Sequence, residues 1–489
     1  MKTLSRELPS QTQSSPLENS IESTESEPSG ENPTLLNNNT QQGSALTIED
    51  GKAFLAQEVP PEIQFAWGSE EAQKNSLRNS EKWSDWRWQM SNRIRKVKDL
   101  QRIFPDNAYR DAIEPVTVKY PMAITPYYAS LIRAIDNRDP ILQMAIPRSE
   151  ELSDPEFLSS DPLEEHDDMP VPGLVHRYPD RALLIATTTC SMYCRHCTRK
   201  RVAGCRETSI TPRRLRQVTS YLTLHPEITD VIISGGDPMT MPDEQIEMVL
   251  SELRSVPSIQ IIRIGTRVPV VLPMRITDKL VSILKKYHPL WINTHFNHPF
   301  EVTKESQLAC LKLADAGIPL GNQSVLLRGI NDDPKIMEIL LRMLVRIRVR
   351  PYYLYQCDIV RGVEHFRTPI SKGIEIMEYL RGRVSGLAIP SFVVDAPHGG
   401  GKIPVTPNYI ISSSPTHTVL RNFEGMIISY PEPKTYTDSH ESKRPCTDTA
   451  PGVWELSSGE YSRIQPGKTI RQTRRQEICS HISRDEVIG

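Results

Sequence analysis

From residue 181 onward, short apolar runs alternate with amphipathic stretches. The runs are "ALLIATT" (182–188), "DVIISG" (230–235), "IQIIRIGT" (259–266), "WINTHF" (291–296), "LGNQSVLL" (320–327) and "PYYLYQC" (351–357). They are short and rich in β-branched or aromatic residues, as buried strands should be. Between them lie "PRRLRQVTSYLTLH", "PDEQIEMVLSELRS", "ITDKLVSILKKYH" and "ESQLACLKLADAG", which carry apolar residues at helical spacing. Thr211 followed by Pro212 is a helix start by its capping chemistry. Six β–α units in a row predict an α/β fold, a parallel sheet with helices outside it. Six units are too few for a closed eight-fold barrel. The pattern predicts a partial, open (βα)6 barrel of the TIM type and leaves a doubly wound sheet open. A further strand, "SFVVDA" (391–396), follows.

The flanks read differently. Residues 1–60 are rich in Ser, Asn, Gln, Glu, Thr and Pro and predict a disordered extension. Residues 61–175 predict a mainly helical region, with "WSDWRWQMSNRI" (83–94) as a helix carrying aromatic anchors. The barrel core is expected over 176–388, a further segment over 389–430, and a partly disordered tail over 431–489. In either candidate fold, reactive residues gather at the C-terminal ends of strands. The unusual residues lie there: three cysteines after the first run, "SGGDP" after the second, "THFNHP" at the fourth and Cys357–Asp358 at the sixth.

Composition narrows the chemistry. The 489 residues include 58 basic and 60 acidic side chains, so nothing in the charge calls for a nucleic acid or an anionic membrane. No stretch reaches ~18 consecutive apolar residues, so no transmembrane helix is expected. The N-terminal residues lack the apolar region of a secretory signal, and a cytoplasmic location is expected. Of the eight cysteines, Cys190, Cys194 and Cys197 fall within eight residues, which points to metal or redox chemistry.

Three thiolates on a C-x3-C-x2-C spacing can hold a [4Fe–4S] cluster and leave one iron open to a small molecule. A three-thiolate zinc site completed by His196 or Cys205 is the alternative reading. The spacing resembles the signature of the radical S-adenosylmethionine (SAM) superfamily. There, a segment like Ser234, Gly235, Gly236 and Asp237 binds the methionine part of SAM, with glycines permitting close approach.

A closer resemblance rests on "RYPDRALLIATTTCSMYCRHCTRKR", "SGGDP", "THFNHP", "LGNQSVLL", "YYLYQCD", "HFRTPISKGIEI" and "VVDAPHGGGKIPV". Together these resemble the lysine 2,3-aminomutase family over roughly residues 80–430. The resemblance implies three cofactors: the [4Fe–4S] cluster, SAM and pyridoxal phosphate (PLP). It implies conversion of L-lysine to β-lysine through a 5′-deoxyadenosyl radical and a 1,2-amino shift. It also implies an electron donor such as flavodoxin or ferredoxin, and it allows a homo-oligomer. Lys402, in a flexible "HGGGK" loop, resembles the PLP lysine, with His398 where the family has a first glycine. Arg177, Tyr178 and Arg181 match residues around the PLP phosphate, a task that suits the bidentate guanidinium. Arg199 matches the residue that grips the substrate carboxylate, whereas Lys200 and Arg201 read as a solvated basic face. His295 and Gln323 match residues near SAM. Asp358 and Asp395 match the pair that holds the ε-ammonium of lysine. The structural zinc of typical members is not expected. Asp333 stands where its first cysteine would fall, and Cys446 and Cys479 are far apart. An aminomutase for another amino acid, or for a lysine of translation elongation factor P, is the alternative.

Overall fold

A computed structural model of the chain describes residues 81–433, apart from 101–106, 134–137, 203, 205 and 415, together with residue 476. All of them belong to one unit spanning residues 46–489. The expectations for residues 1–60 and for most of the tail lie outside the described residues. Each apolar run forms a strand: β2 (Arg181–Thr187), β3 (Asp230–Gly235), β4 (Ile261–Gly265), β5 (Leu290–Thr294), β6 (Leu320–Leu326), β7 (Val349–Gln356) and β8 (Ser391–Ala396). These seven pair in parallel, each with the next. Two further strands edge the sheet, β1 (Leu174–Tyr178) antiparallel to β2 and β9 (Gly401–Pro404) antiparallel to β8.

The sheet order runs from β1 to β9 without a ladder joining its ends. The Lys402 backbone N–H donates to the Tyr178 hydroxyl across that gap, at 3.0 Å. The barrel is therefore open, as the count of β–α units predicts, and one side-chain bond spans its seam.

Helices α1 (Pro212–Leu224), α2 (Asp243–Arg254), α3 (Asp278–Lys285), α4 (Lys304–Asp315), α5 (Pro334–Arg346) and α6 (Ile370–Leu380) follow β2 to β7 in turn. Thr211 caps α1 as predicted, accepting from the Arg214 N–H at 3.3 Å. Leu215, Val218 and Leu222 of α1 and Ile246, Val249 and Leu250 of α2 are fully or nearly fully buried. So are Val231 and Ile233 of β3 and Ile262 and Ile264 of β4. Each such side chain contributes ~1.5–3 kcal/mol on burial. The alternate residues, Ile232, Ser234, Arg263 and Gly265, line a cavity instead. Period-two alternation thus packs one face of the sheet under helices and turns the other toward a hollow.

The N-terminal region carries the helix Asn107–Lys119 and several shorter helical pieces. The expected helix over 83–94 is two, Glu81–Ser84 and Trp86–Ser91, because Asp85 leaves helical geometry and caps the second. Beyond β9, a separate antiparallel sheet of β10 (Ile410–Ser413), β11 (His417–Arg421) and β12 (Ile427–Pro431) was not anticipated. Among the described residues no helix is long and apolar enough to cross a membrane.

Candidate active site

The cavity inside the barrel has a volume of about 610 Å³, and the candidate cluster, SAM, PLP and substrate residues named from the sequence line it. At its rim, the chain after β3 seats on the segment that leads into Cys190. Gly236 N–H donates to Thr187 O at 2.5 Å and Asp237 N–H to Thr189 O at 2.7 Å. A Cβ at Gly235 would collide with Thr187 O, and one at Gly236 with Thr189 O. The glycines are thus already required by chain-on-chain contact, a reason separate from cofactor approach. The buried Asp237 carboxylate accepts from Thr266 Oγ1 (2.6 Å), Arg267 N (2.8 Å) and Met239 N (3.1 Å). It braces the ends of β3 and β4 together, and burial raises its pKa to about 6.

Cys190, Cys194 and Cys197 are free thiols facing this rim. Burial pushes Cys197 up to about 11 and raises Cys190 well above its usual range, so these two groups ionise only when a cation meets them. Among the described residues, no three His, Cys, Asp or Glu side chains converge closely enough to hold one metal ion. A single zinc would draw its thiolates to Zn–S distances of about 2.3 Å. His196, a fourth zinc ligand in the alternative reading, lines the same cavity but faces other partners. Its Nε2 lies 3.4 Å from the Asn297 amide and its ring meets Phe366 edge-on. Cys205 lies outside the described residues.

The basic run after Cys197 is not a solvated face, and that expectation is corrected. Lys200 is 6 % exposed. Its ammonium donates to Glu151 (2.6 Å), Gly362 O (2.8 Å) and Arg195 O (3.0 Å) and lies 4.4 Å from the Tyr120 ring centre. Glu151, fully buried, also accepts from Arg195 Nε at 2.9 Å and Nη2 at 2.5 Å. This ionic knot ties the cysteine loop to the N-terminal region and to the segment after β7. Arg201 is half-buried and pairs with Asp161 at 3.0 Å. Arg199 meets Glu165 through Nη2 (2.6 Å) and Nε (3.0 Å), while its Nη1 reaches Ser234 Oγ at 3.4 Å. Burial opposes ionisation of Glu165, but Arg199 outweighs it and holds this carboxyl below the usual range.

Asp358 lies two residues after β7, Asp395 is the last but one of β8, and both face the same space. Thr198 Oγ1 donates to Asp358 Oδ2 at 2.6 Å. Burial raises the Asp358 pKa to about 6, and the like charge of Asp395 acts in the same direction. The Lys402 ammonium lies on Asp395, 2.8 and 3.0 Å from its two oxygens, and 5.1 Å from the Tyr355 ring centre. The expected flexible loop is corrected here: Lys402 belongs to β9, in register with Asp395. Gly401, at φ +83°, has the Tyr178 hydroxyl 3.1 Å from where its Cβ would stand. His398 occupies the left-handed region at φ +58°, which favours glycine, and its Nδ1 meets Glu164 at 3.2 Å.

Arg177, Tyr178 and Arg181 are not at the rim. β1 runs antiparallel to β2, so its last residues sit beside the first residue of β2, with Tyr178 opposite Arg181. At ~3.3 Å per residue, β2 separates Arg181 from the cysteine loop by ~20 Å. The cavity therefore runs the length of the barrel, further than the C-terminal-rim rule foresees. Arg177 donates to Asp168 at 2.9 Å and to Leu163 O. Arg181 pairs with Asp180 at 2.9 Å and lies 4.9 Å from the Tyr178 ring centre. Just after the end of β5, His295 is held neutral, its pKa lowered to about 4 by burial and by Arg267. Gln323 donates to Tyr355 Oη at 3.3 Å.

Residues 184–340 match the family described as "Radical SAM superfamily", and residues 377–487 match "Lysine-2,3-aminomutase". L-lysine 2,3-aminomutase of Clostridium subterminale is 55 % identical over 389 residues, which cover 78 % of this chain and 93 % of that one. The chain belongs to the lysine 2,3-aminomutase family. Another similar relative is the L-lysine 2,3-aminomutase of Bacillus subtilis, 53 % identical over 73 % of this chain and 76 % of its own. A glutamate 2,3-aminomutase of Clostridioides difficile is also similar, at 46 % over 71 % of this chain and 82 % of its own.

The cofactors of the lysine 2,3-aminomutase family are a [4Fe–4S] cluster, SAM and PLP. The residues present fit them. Three thiols, with no fourth at the cavity among the described residues, suit a cluster with an open iron. Guanidinium groups at the cavity floor suit a phosphate, with an amine, Lys402, further along the same wall. Several lining residues were missed from the sequence. Arg263, in the interior of β4, pairs with Asp230 at 2.8 Å and adds another floor cation. It was legible as a charge inside an apolar run. Tyr353 and Tyr355 were legible as inward-alternating aromatics of β7. Glu165 carried no local signal.

Proposed function

We propose that this chain is an isomerase that interconverts L-lysine and β-lysine. The observation that carries the reading is the carboxylate pair Asp358 and Asp395, with an ammonium already seated on Asp395, in one cavity with Arg199. When bound, the cluster with SAM supplies a 5′-deoxyadenosyl radical, and PLP carries the migrating nitrogen.

The chain's own residues would bind and orient. Arg199 and Ser234 receive the substrate carboxylate, with Glu165 holding the guanidinium in place. Arg177, Tyr178 and Arg181 receive the PLP phosphate, and Lys402 anchors PLP. Gly235, Gly236, His295 and Gln323 border SAM. Asp358 and Asp395 hold the ε-ammonium. Each close ammonium–carboxylate pair is worth up to ~4 kcal/mol of Coulomb energy at an effective dielectric near 20, before desolvation. A glutamate side chain would reverse that sign. A lysine within another protein would bring no free carboxylate to Arg199, which disfavours the elongation-factor reading.

Anaerobically reconstituted protein should turn over labelled L-lysine in the presence of SAM, PLP and reductant. Glutamate turnover at or above the lysine rate would refute the substrate assignment. The remaining proposals are a low-potential donor such as flavodoxin or ferredoxin, a cytoplasmic location, a homo-oligomer, and a division into a barrel over 176–388 and a PLP-lysine segment over 389–430. No stoichiometric structural zinc is expected. Asp333, where its cysteine would fall, caps α5 by accepting from Lys335 N–H at 2.8 Å.

A further inference from the structure

Two distant cations reach the cysteine loop: Arg93 donates to the Cys190 carbonyl, and Arg267 meets a cysteine sulfur. Arg267 follows β4 and is 7 % exposed. Its Nη1 donates to Cys194 Sγ at 2.8 Å. The rest of the guanidinium is fixed by Glu301 Oε1 (2.6 Å), His295 O (3.2 Å) and Tyr128 Oη (3.2 Å). Its own backbone N–H is held by Asp237. Glu301 is fully buried and equally fixed, accepting from Asn297 N (2.5 Å), His298 N (3.0 Å) and Tyr128 Oη (2.7 Å). The guanidinium therefore cannot swing away without leaving several buried groups unpaired, which is costly.

We propose that Arg267 tunes the iron–sulfur cluster, raising its reduction potential through a charge-assisted N–H···S bond to Cys194. The inference rests on the cluster reading and goes beyond it. Hydrogen bonds to cluster sulfurs and nearby charge are among the determinants of such potentials. A reduced cluster carries one more negative charge than the oxidised one. A buried cation at a coordinating sulfur favours the reduced state, and low solvent access keeps the interaction from being screened. Glu301 acts in opposition: its carboxylate fixes Arg267 but offsets part of its charge. The two form a positioning pair at the cysteine loop.

The test is an EPR-monitored redox titration of the reconstituted full-length protein, with iron and sulfide assayed beside it. Dithionite supplies the one electron that each cluster takes up. Arg267→Met should lower the midpoint potential by at least about 59 mV, a tenfold change in the one-electron equilibrium. Arg267→Lys, which keeps the charge, should recover at least about half of that shift. Glu301→Gln, which removes the opposing charge, should move the potential upward. A purely structural role would change cluster content or folding but leave the potential of loaded protein in place. Equal potentials in parent and Arg267→Met, at equal iron content, would overturn the proposal. If Arg267→Met does not fold, an unmoved or lowered potential in Glu301→Gln overturns it instead. Parent protein that binds no iron or sulfide would overturn both this inference and the cluster reading, whereas iron-loaded protein with unmoved potentials removes only the inference.

Discussion

Replacing Asp358 by Asn probes the substrate end of the cavity. Asp358 is already hard to ionise: burial raises its pKa to about 6, and Asp395 adds like-charge repulsion. An ε-ammonium between the two carboxylates favours the ionised form. The sign is therefore fixed: lysine binds well above the pKa and poorly below it, where the carboxyl is neutral. Asp358→Asn imitates the neutral state at every pH. Breaking a buried ion pair costs ~3–5 kcal/mol. Asp395 remains as a second carboxylate, so the lower end applies, about 3 kcal/mol. At 1.36 kcal/mol per tenfold, that is about two orders of magnitude in kcat/KM for L-lysine. The assay is anaerobic kcat/KM from about pH 5 to about pH 8, with iron and PLP contents measured in parallel. The parent should lose about tenfold per pH unit below about 6. The variant should be lower throughout and should lack that limb. A variant that loads its cofactors and stays within about threefold of the parent, or that keeps the acid limb, would refute the reasoning.

Borohydride reduction of the PLP-loaded protein should fix the pyridoxyl group on Lys402, as peptide mapping would read. Label on a different lysine would remove Lys402 from that role. Gly236→Ala drives a Cβ into the backbone of Thr189, a contact only main-chain movement can relieve. A cost of ~1–3 kcal/mol at the cysteine loop should at least halve reconstituted iron, to about two atoms per chain or fewer; full loading would show that the loop yields freely. Lys200→Met leaves Glu151 with Arg195 but breaks bonds to two backbone carbonyls as well. A loss of about 3 kcal/mol in urea denaturation is expected, and an unchanged midpoint would return Lys200 to the solvated face.

Features coded by local pattern were legible in the sequence, and features that depend on distant partners were not. The runs 230–235 and 391–396 coincide with β3 and β8 end to end, because apolar β-branched residues stop abruptly at polar ones. The edge strands escaped. β1 ends in His176, Arg177 and Tyr178, and β9 contains Lys402, so each lacks an apolar run. Their polar residues are there because the sheet closes around a cavity, which only the assembled barrel defines. The same holds for Lys200 and Arg199. Nothing next to them distinguishes a buried pair from a solvated one, since Glu151 and Glu165 lie 49 and 34 residues away in the N-terminal region. Arg263 and Arg267 fall between these cases. A charge placed within or just after a buried strand is costly unless it is paired or faces a polar hollow, so each position signals that a partner must exist. The sequence cannot name that partner. In the fold it is Asp230 for Arg263, and Glu301 with Cys194 for Arg267. The second assignment converts an apparent packing anomaly in β4's exit loop into a contact on Cys194, one of the three proposed cluster ligands.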